Sequence, residues 1–266
     1  MDVLIGIIIL LIIAVLPVVL IGLFLHKKDK NKEPTKLLAK LFGAGIGSTF
    51  LTLFITYLLG IFVPFLFSES TKSNVVGLFF YIFFGVALVE EFSKWIFVYK
   101  ISYNNKEFDE FYDIILYATF VALGFACLEN ILYVLQNGLG NGLLRAVTAV
   151  PGHVFDAVFM GYYLGLAKIN SLNGRTEHYK KNLLLSLLVP IMTHGLYDYL
   201  IYTLLITGNL LFIILWLLLI IFLYIYCIKR VLKISKLTGN FTKIQENLNV
   251  SNNSYNNQQN NNINYK

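Results

Sequence analysis

Residues 3–25 read VLIGIIILLIIAVLPVVLIGLFL, and Asp2 is the only charged residue in front of them. A helix that crosses the hydrocarbon core of a bilayer needs about 20 consecutive apolar residues. The stretch meets this requirement. It is too long for the apolar part of a signal peptide, and the basic segment of a signal peptide is missing. The sequence therefore predicts an uncleaved membrane-spanning helix over these residues.

The remainder of the 266-residue chain has the same apolar character. Hydrophobic residues make up 57% of the sequence and charged residues 14%, whereas a soluble domain has about 25% charged residues. This composition excludes an ordinary soluble globular protein and predicts an all-α, polytopic transmembrane helical bundle in the cell membrane. Seven hydrophobic blocks are expected to be the spans: 3–25, 37–66, 75–99, 113–135, 144–167, 183–206 and 209–228.

The loop charges predict how the bundle is oriented. Basic residues are frequent after the first, third, fifth and seventh blocks, while the connections in between offer only Lys72 and Arg145. Because basic loops stay in the cytosol, the N-terminus is expected outside and the C-terminus inside. Topology thus explains the net charge of +6, and no nucleic-acid partner is needed to account for it.

Two regions with different compositions are predicted along the chain. Residues 1–236 are expected to form the membrane domain. Residues 237–266 are rich in Asn and are expected to be a disordered cytosolic tail. Cys127 and Cys227 lie inside apolar blocks, which favours buried free thiols over a disulfide.

Small residues at i and i+4 indicate where helices approach closely in a membrane. Two such pairs are present, Gly43 with Gly47 and Gly161 with Gly165. We expect close helix packing at both pairs.

Ionisable residues inside the predicted spans are the most informative feature of the sequence. Such groups are costly in a bilayer, so each is a candidate functional residue. They are concentrated in the third to sixth spans. The four clusters are Glu90-Glu91-Phe92-Ser93-Lys94, Phe125-x-x-x-Glu129-Asn130, His153-Val154-Phe155-Asp156 and His194-Gly195-Leu196-Tyr197-Asp198.

The third-span cluster has two carboxylates and one ammonium. Glu90 and Lys94 are four residues apart and share a helix face, while Glu91 lies about 100° around the helix. One glutamate would suffice to neutralise Lys94. The second carboxylate leaves excess negative charge in a region of low dielectric constant, which suits a general base or a metal ligand.

The fifth and sixth spans each place a histidine and an aspartate on one helix face. The aspartates, Asp156 and Asp198, are suited to orient His153 and His194. Counted along the helices, Glu90, Glu129 and both histidines lie near mid-membrane. We therefore expect the four spans to enclose one polar, hydrated cavity.

Two kinds of chemistry fit this inventory. A carboxylate that deprotonates water, assisted by imidazoles, or a metal held by His153, His194 and Glu129 with zinc as the candidate, would each hydrolyse an amide bond. The alternative from another class is a proton- or ion-coupled membrane transporter. A retinal-binding seven-helix protein is disfavoured because the last span has no lysine for a Schiff base.

The four clusters, in this order on successive spans, resemble the PrsW family of intramembrane proteases. That family is related to the CAAX-type prenyl endopeptidases, in which the third-span motif ends in Arg and a histidine stands in the place of Glu129. The resemblance covers about residues 75–200 and implies a peptidase that acts on a membrane-anchored protein, by analogy an anti-sigma factor.

The resemblance also implies roles for individual residues. Glu90 would activate water, with Glu91 or Glu129 assisting, and Lys94 would hold the glutamate pair. His153 would position the water or bind a metal. His194 and Asp198 would form the oxyanion site. The implied catalytic set is Glu90, Glu91, Lys94, Glu129, His153, His194 and Asp198, within a catalytic core at about 75–206.

Overall fold

A computed structural model describes residues 2–236 of the chain, and the predicted tail at 237–266 lies outside the described residues. The described part is helical, and it contains nine α-helices. Their bounds are α1 Asp2–Lys28, α2 Thr35–Phe62, α3 Glu69–Lys72, α4 Val75–Phe80, α5 Leu88–Ser102, α6 Phe111–Val147, α7 Ala149–Leu172, α8 Thr176–Thr207 and α9 Leu211–Ile234.

Six helical stretches are long and apolar enough to cross a membrane. One of them, Phe111–Leu172, has 62 residues and breaks at Thr148 into α6 and α7. Each of these two helices is itself long enough for a crossing. The predicted all-α bundle with about seven spans is therefore confirmed, while its orientation stays a prediction.

The third span is built from three consecutive pieces. It runs from α4 through a π-helical segment, Tyr81–Ala87, into α5. A π-helix widens the turn and changes the direction in which the following side chains point. This irregular segment ends three residues before Glu90 and therefore sets the direction from which α5 presents its acidic residues.

The core of the bundle is centred on α6. Residues Ile114–Tyr117 of this helix are fully buried, whereas apolar side chains on α1, α2, α8 and α9 are widely exposed, as expected for a lipid-facing surface. The long α6 is bent at Gly138, which has a φ of 77°. Behind this bend, Gly142 packs on Val134, so the chain turns back toward the preceding part of α6.

One of the two predicted glycine pairs packs as expected. A Cβ atom on Gly161 would lie 2.6 Å from the Cα of Ile115, and one on Gly165 would lie 2.9 Å from the ring of Phe111. The prediction for Gly43 was wrong, because nothing lies within 4 Å of its Cβ position.

The close contact of α2 with α6 uses other glycines. A Cβ atom on Gly45 would lie 2.0 Å from the carbonyl oxygen of Val121. One on Gly124 would lie 2.0 Å from the carbonyl oxygen of Phe42. These two glycines bring the backbones of α2 and α6 together.

Candidate active site

The acidic pair of the third span lies at the centre of a buried polar cluster. Nζ of Lys94 is 2.6 Å from Oε1 of Glu91 and 3.8 Å from Oε2 of Glu90. Lys94 is 2% exposed and Glu91 1% exposed. The ammonium therefore neutralises Glu91 directly and Glu90 from a greater distance, although Glu90 is the residue at i−4.

His194 connects this pair with the sixth span. Its Nδ1 lies 2.7 Å from Oε1 of Glu91, while its Nε2 lies 3.8 Å from Oε2 of Glu90 and 3.4 Å from Oδ2 of Asp198. The predicted His194–Asp198 pair is thus present in the structure. Glu91 fixes one side of the ring and leaves Nε2 directed toward Glu90 and Asp198.

Glu90 carries an oxygen that is available for a further contact. Among the described residues, its buried Oε2 has no hydrogen-bond partner. The gap of 3.8 Å to Nε2 of His194 is too long for a direct hydrogen bond, but one water oxygen with two contacts of about 2.8 Å would span it. The arrangement offers a position for water between a carboxylate and an imidazole.

His153 is held by two partners from other helices. Its Nε2 lies 2.7 Å from Oε2 of Glu129, and its Nδ1 lies 3.2 Å from Nζ of Lys94. The ring of Phe125 contacts both Lys94 and His153. Nζ of Lys94 lies 4.3 Å from its centroid, and the His153 ring lies edge-on to it at a centroid distance of 5.4 Å. The Phe125-x-x-x-Glu129 motif thus positions His153 and Lys94 together.

The partner predicted for His153 was wrong. There is no hydrogen bond between His153 and Asp156, although both residues are described in the structure. Asp156 instead accepts a hydrogen bond from Oγ1 of Thr193, and its Oδ2 lies 4.0 Å from Nδ1 of His194. Spacing on one helix therefore indicated a shared face, but contacts between helices determine which acid orients which imidazole.

Sequence reasoning also missed a basic residue. Arg145, which was counted only as a loop charge, places Nη2 2.8 Å from Oε2 of Glu129. The sequence did contain a signal for this role, because Arg145 lies at the edge of an apolar block, eight residues before His153. Its contact depends on the bend at Gly138, which the sequence pattern did not predict.

The cluster faces a cavity of about 280 Å³. Glu90, Glu129, His153, His194 and Asp198 all line it, so the structure brings the predicted residues of four spans to one place. The predicted common cavity is therefore present. The cavity is also lined by Tyr81, Tyr133, Arg145, Leu205 and Trp216.

Four side chains could hold a metal ion together. Glu91, His153, Asp156 and His194 each offer one donor atom, and these atoms lie within 4.8 Å of one another. All four residues are buried. Glu129, which the sequence suggested as a ligand, does not belong to this group and is instead paired with Arg145 and His153.

Comparison with known proteins gives a consistent result. The sequence profile of a family described as PrsW family intramembrane metalloprotease matches residues 33–226. Protease PrsW of Oceanobacillus iheyensis is 39% identical over 66% of this chain and 75% of its own length. Protease PrsW of Geobacillus kaustophilus is 37% identical over 69% of this chain and 75% of its own length.

A more distant relative covers slightly more of the chain. Protease PrsW of Clostridioides difficile is 34% identical over 71% of this chain and 78% of its own length. No solved structure matches the chain significantly.

Proposed function

Because the chain belongs to the PrsW family of intramembrane metalloproteases, we propose that it cleaves a membrane-anchored protein with a water molecule that Glu90 activates. The family and the apolar helices establish a multi-pass membrane protease. The finer assignment of residues to roles is our proposal. The observation that carries it is Oε2 of Glu90, which has no hydrogen-bond partner among the described residues and faces Nε2 of His194 across 3.8 Å.

The proposed reaction assigns one task to each neighbouring group. Glu90 removes a proton from water as the water attacks the carbonyl carbon of the peptide bond. The His194 ring is held by Glu91 at Nδ1 and by Asp198 near Nε2. In this position its Nε2–H donates to the developing oxyanion. Glu90 then returns the proton to the leaving amine, so the proton balance closes within the site.

The donor set fits a divalent metal such as zinc. Imidazoles and carboxylates are the kinds of ligand that catalytic zinc takes, and we assign its ligands to the group Glu91, His153, Asp156 and His194, of which three would hold the ion and leave one position for water. When bound, the metal would polarise the peptide carbonyl and lower the pKa of water. Lys94 contacts two members of this group, Glu91 and His153, and its ammonium places a positive charge beside the Glu91 carboxylate.

The charges of the site are compatible with a bound cation. The site contains five carboxylates, those of Glu90, Glu91, Glu129, Asp156 and Asp198, but only two fixed cations, Lys94 and Arg145. Uncompensated negative charge is costly at low dielectric constant. A divalent cation, bound protons or both would remove most of this excess.

The shape of the cavity suggests the route by which substrate enters. Tyr81 lies early in the third span, Leu205 lies late in α8 and Trp216 lies early in α9, so these lining residues are at one end of the bundle. This is the end at which α1 begins. With the predicted orientation, substrate reaches the site from outside the cell.

The family resemblance suggests a membrane-anchored anti-sigma factor as the substrate. Cleavage of a tagged, membrane-anchored candidate in vesicles tests the proposal directly. We expect Glu90→Gln to reduce the cleavage rate at least about a hundredfold, because the base is lost while the shape is kept. Glu69→Gln, on an exposed residue, is the matched control. Cleavage by Glu90→Gln at the wild-type rate would refute the assignment.

A further inference from the structure

Arg145 contacts the residues Glu129 and Asn130, although it lies about 15 residues after them in α6. Its Nε donates a hydrogen bond to Oδ1 of Asn130 over 3.1 Å, across 15 residues of sequence. A straight α-helix would separate these positions by about 22 Å. The reversal at Gly138, where φ is 77°, removes this separation and directs Arg145 back onto the earlier turns of α6.

Three groups of α6 hold the Arg145 guanidinium in place. Besides Asn130, it contacts Oε2 of Glu129 at 2.8 Å, and it stacks over the ring of Tyr133 at 4.0 Å from the centroid. Asn130 is itself fixed, because its Nδ2 donates to the carbonyl oxygen of Ala14 in α1 over 2.9 Å. Arg145 is therefore held in a defined position at the wall of the cavity.

The contacts of His153 indicate a single tautomer. An ammonium group only donates hydrogen bonds, so Lys94 requires Nδ1 of His153 to be an acceptor. The ring proton is then on Nε2, where Oε2 of Glu129 accepts it at 2.7 Å. The same carboxylate oxygen is 2.8 Å from Nη2 of Arg145, so Arg145, Glu129 and His153 form one chain of contacts.

We propose that Arg145 is a positioning residue for peptide-bond hydrolysis: it holds the Glu129 carboxylate against Nε2 of His153 and, together with Lys94 at Nδ1, fixes the tautomer that directs the Nδ1 lone pair to the centre of the site. Carboxylates that orient histidines in this way are widespread around metal and catalytic sites. In this site the orienting carboxylate, that of Glu129, is in turn held by Arg145. Without Arg145, Glu129 is free to rotate away from Nε2, and only the 3.2 Å contact of Lys94 with Nδ1 is left to favour the Nε2–H tautomer of His153.

The inference rests on the proposed role of His153 and is tested with Arg145→Gln and Arg145→Lys. Arg230, which stacks on Tyr162 outside the site, provides the control variant Arg230→Gln. We expect Arg145→Gln to lower kcat about tenfold to a hundredfold with little change in KM. Arg145→Lys keeps the charge and is expected to retain intermediate activity. Arg230→Gln is expected to cleave at the wild-type rate.

A spectroscopic measurement separates positioning from a merely structural role. In ¹⁵N spectra of histidine-labelled protein, the wild type is expected to show His153 as the Nε2–H tautomer, and Arg145→Gln a mixture of tautomers. An unchanged His153 spectrum in folded Arg145→Gln, or wild-type kcat, would overturn the inference. If Arg145→Gln does not fold, Arg145→Lys carries both measurements, and wild-type values for it would likewise overturn the inference.

The two proposals fail in different ways. Full activity of Glu90→Gln would refute the proposed base but leave the His153 spectrum as evidence on Arg145. Loss of activity in Glu90→Gln together with an unaffected Arg145→Gln would refute the positioning role alone.

Discussion

Glu33 provides a pH-dependent test of the structure at the opposite end of the bundle from the cavity mouth. It lies in the connection between α1 and α2, is 5% exposed, and accepts a hydrogen bond from the hydroxyl of Tyr117. Burial raises the pKa of the Glu33 carboxyl from 4.5 to about 7, the Tyr117 hydroxyl opposes this rise, and the nearby acids Asp29, Asp109 and Glu107 add to it.

The magnitude of the effect follows from linkage between proton binding and folding. A rise in pKa from 4.5 to about 7 corresponds to about 3 kcal/mol of unfolding free energy. Between these pH values the folded state binds more protons than the unfolded state. The contribution of protonated Glu33 is therefore fully present below about pH 4.5, and it is lost as the pH rises through about 7.

The substitution Glu33→Gln removes the titration and keeps an acceptor for Tyr117. We expect the variant to resemble the wild type at pH 5 and to be more stable at pH 8, by up to about 3 kcal/mol. Unfolding temperatures of detergent-solubilised protein between pH 5 and pH 8 provide the measurement. Glu69→Gln, on an exposed residue, is the control. Parallel pH profiles for Glu33→Gln and the wild type would show that Glu33 does not titrate as described.

Two further predictions concern close packing at glycines. A Cβ atom on Gly195 would lie 2.6 Å from the ring of Phe83 in the π-helical segment, so Gly195→Ala is expected to displace the neighbouring His194 and lower the cleavage rate up to about a hundredfold, with Gly60→Ala as an unaffected control. A Cβ atom on Gly124 would lie 2.0 Å from a carbonyl oxygen of α2, so Gly124→Ala is expected to cost about 1–3 kcal/mol or more in unfolding experiments, whereas Gly43→Ala, with open space, should not destabilise the protein. Normal activity of Gly195→Ala, or equal stability of the Gly124 and Gly43 variants, would contradict the packing described.

Much of the fold was predictable because the bilayer imposes a strong constraint on sequence. A span requires about 20 apolar residues, and a charged side chain within it is costly. The hydrophobic blocks therefore marked the helices. Candidate site residues could be selected because an ionisable group in the middle of a span is costly and is rarely kept without a function. These residues are Glu90, Glu129, His153 and His194.

The pairing of these groups could not be predicted from the sequence. Spacing along one helix suggested that Asp156 orients His153, yet Glu129 and Lys94 from two other helices do so. Hydropathy ended the fourth span near residue 135, close to the reversal at Gly138, but it did not show that the chain turns back there and continues in helical form to Val147. The bend at Gly138 and the contacts of Arg145 depend on packing between distant segments, which local periodicity does not encode.

The shape of the site also bears on the transporter alternative. A transport pathway connects both sides of the membrane, so polar residues are expected above and below the central cluster. On the side of the site away from the cavity mouth, the described helices place fully or almost fully buried apolar residues, among them Val98, Val121, Met160 and Leu164. Nζ of Lys94 itself lies 4.3 Å from the ring centroid of Phe125, which is also buried. The cavity thus opens toward one end of the bundle, and this apolar layer separates it from the buried polar residues Asp113 and Ser102 nearer the other end, which fits a hydrolase better than a pathway through the bundle.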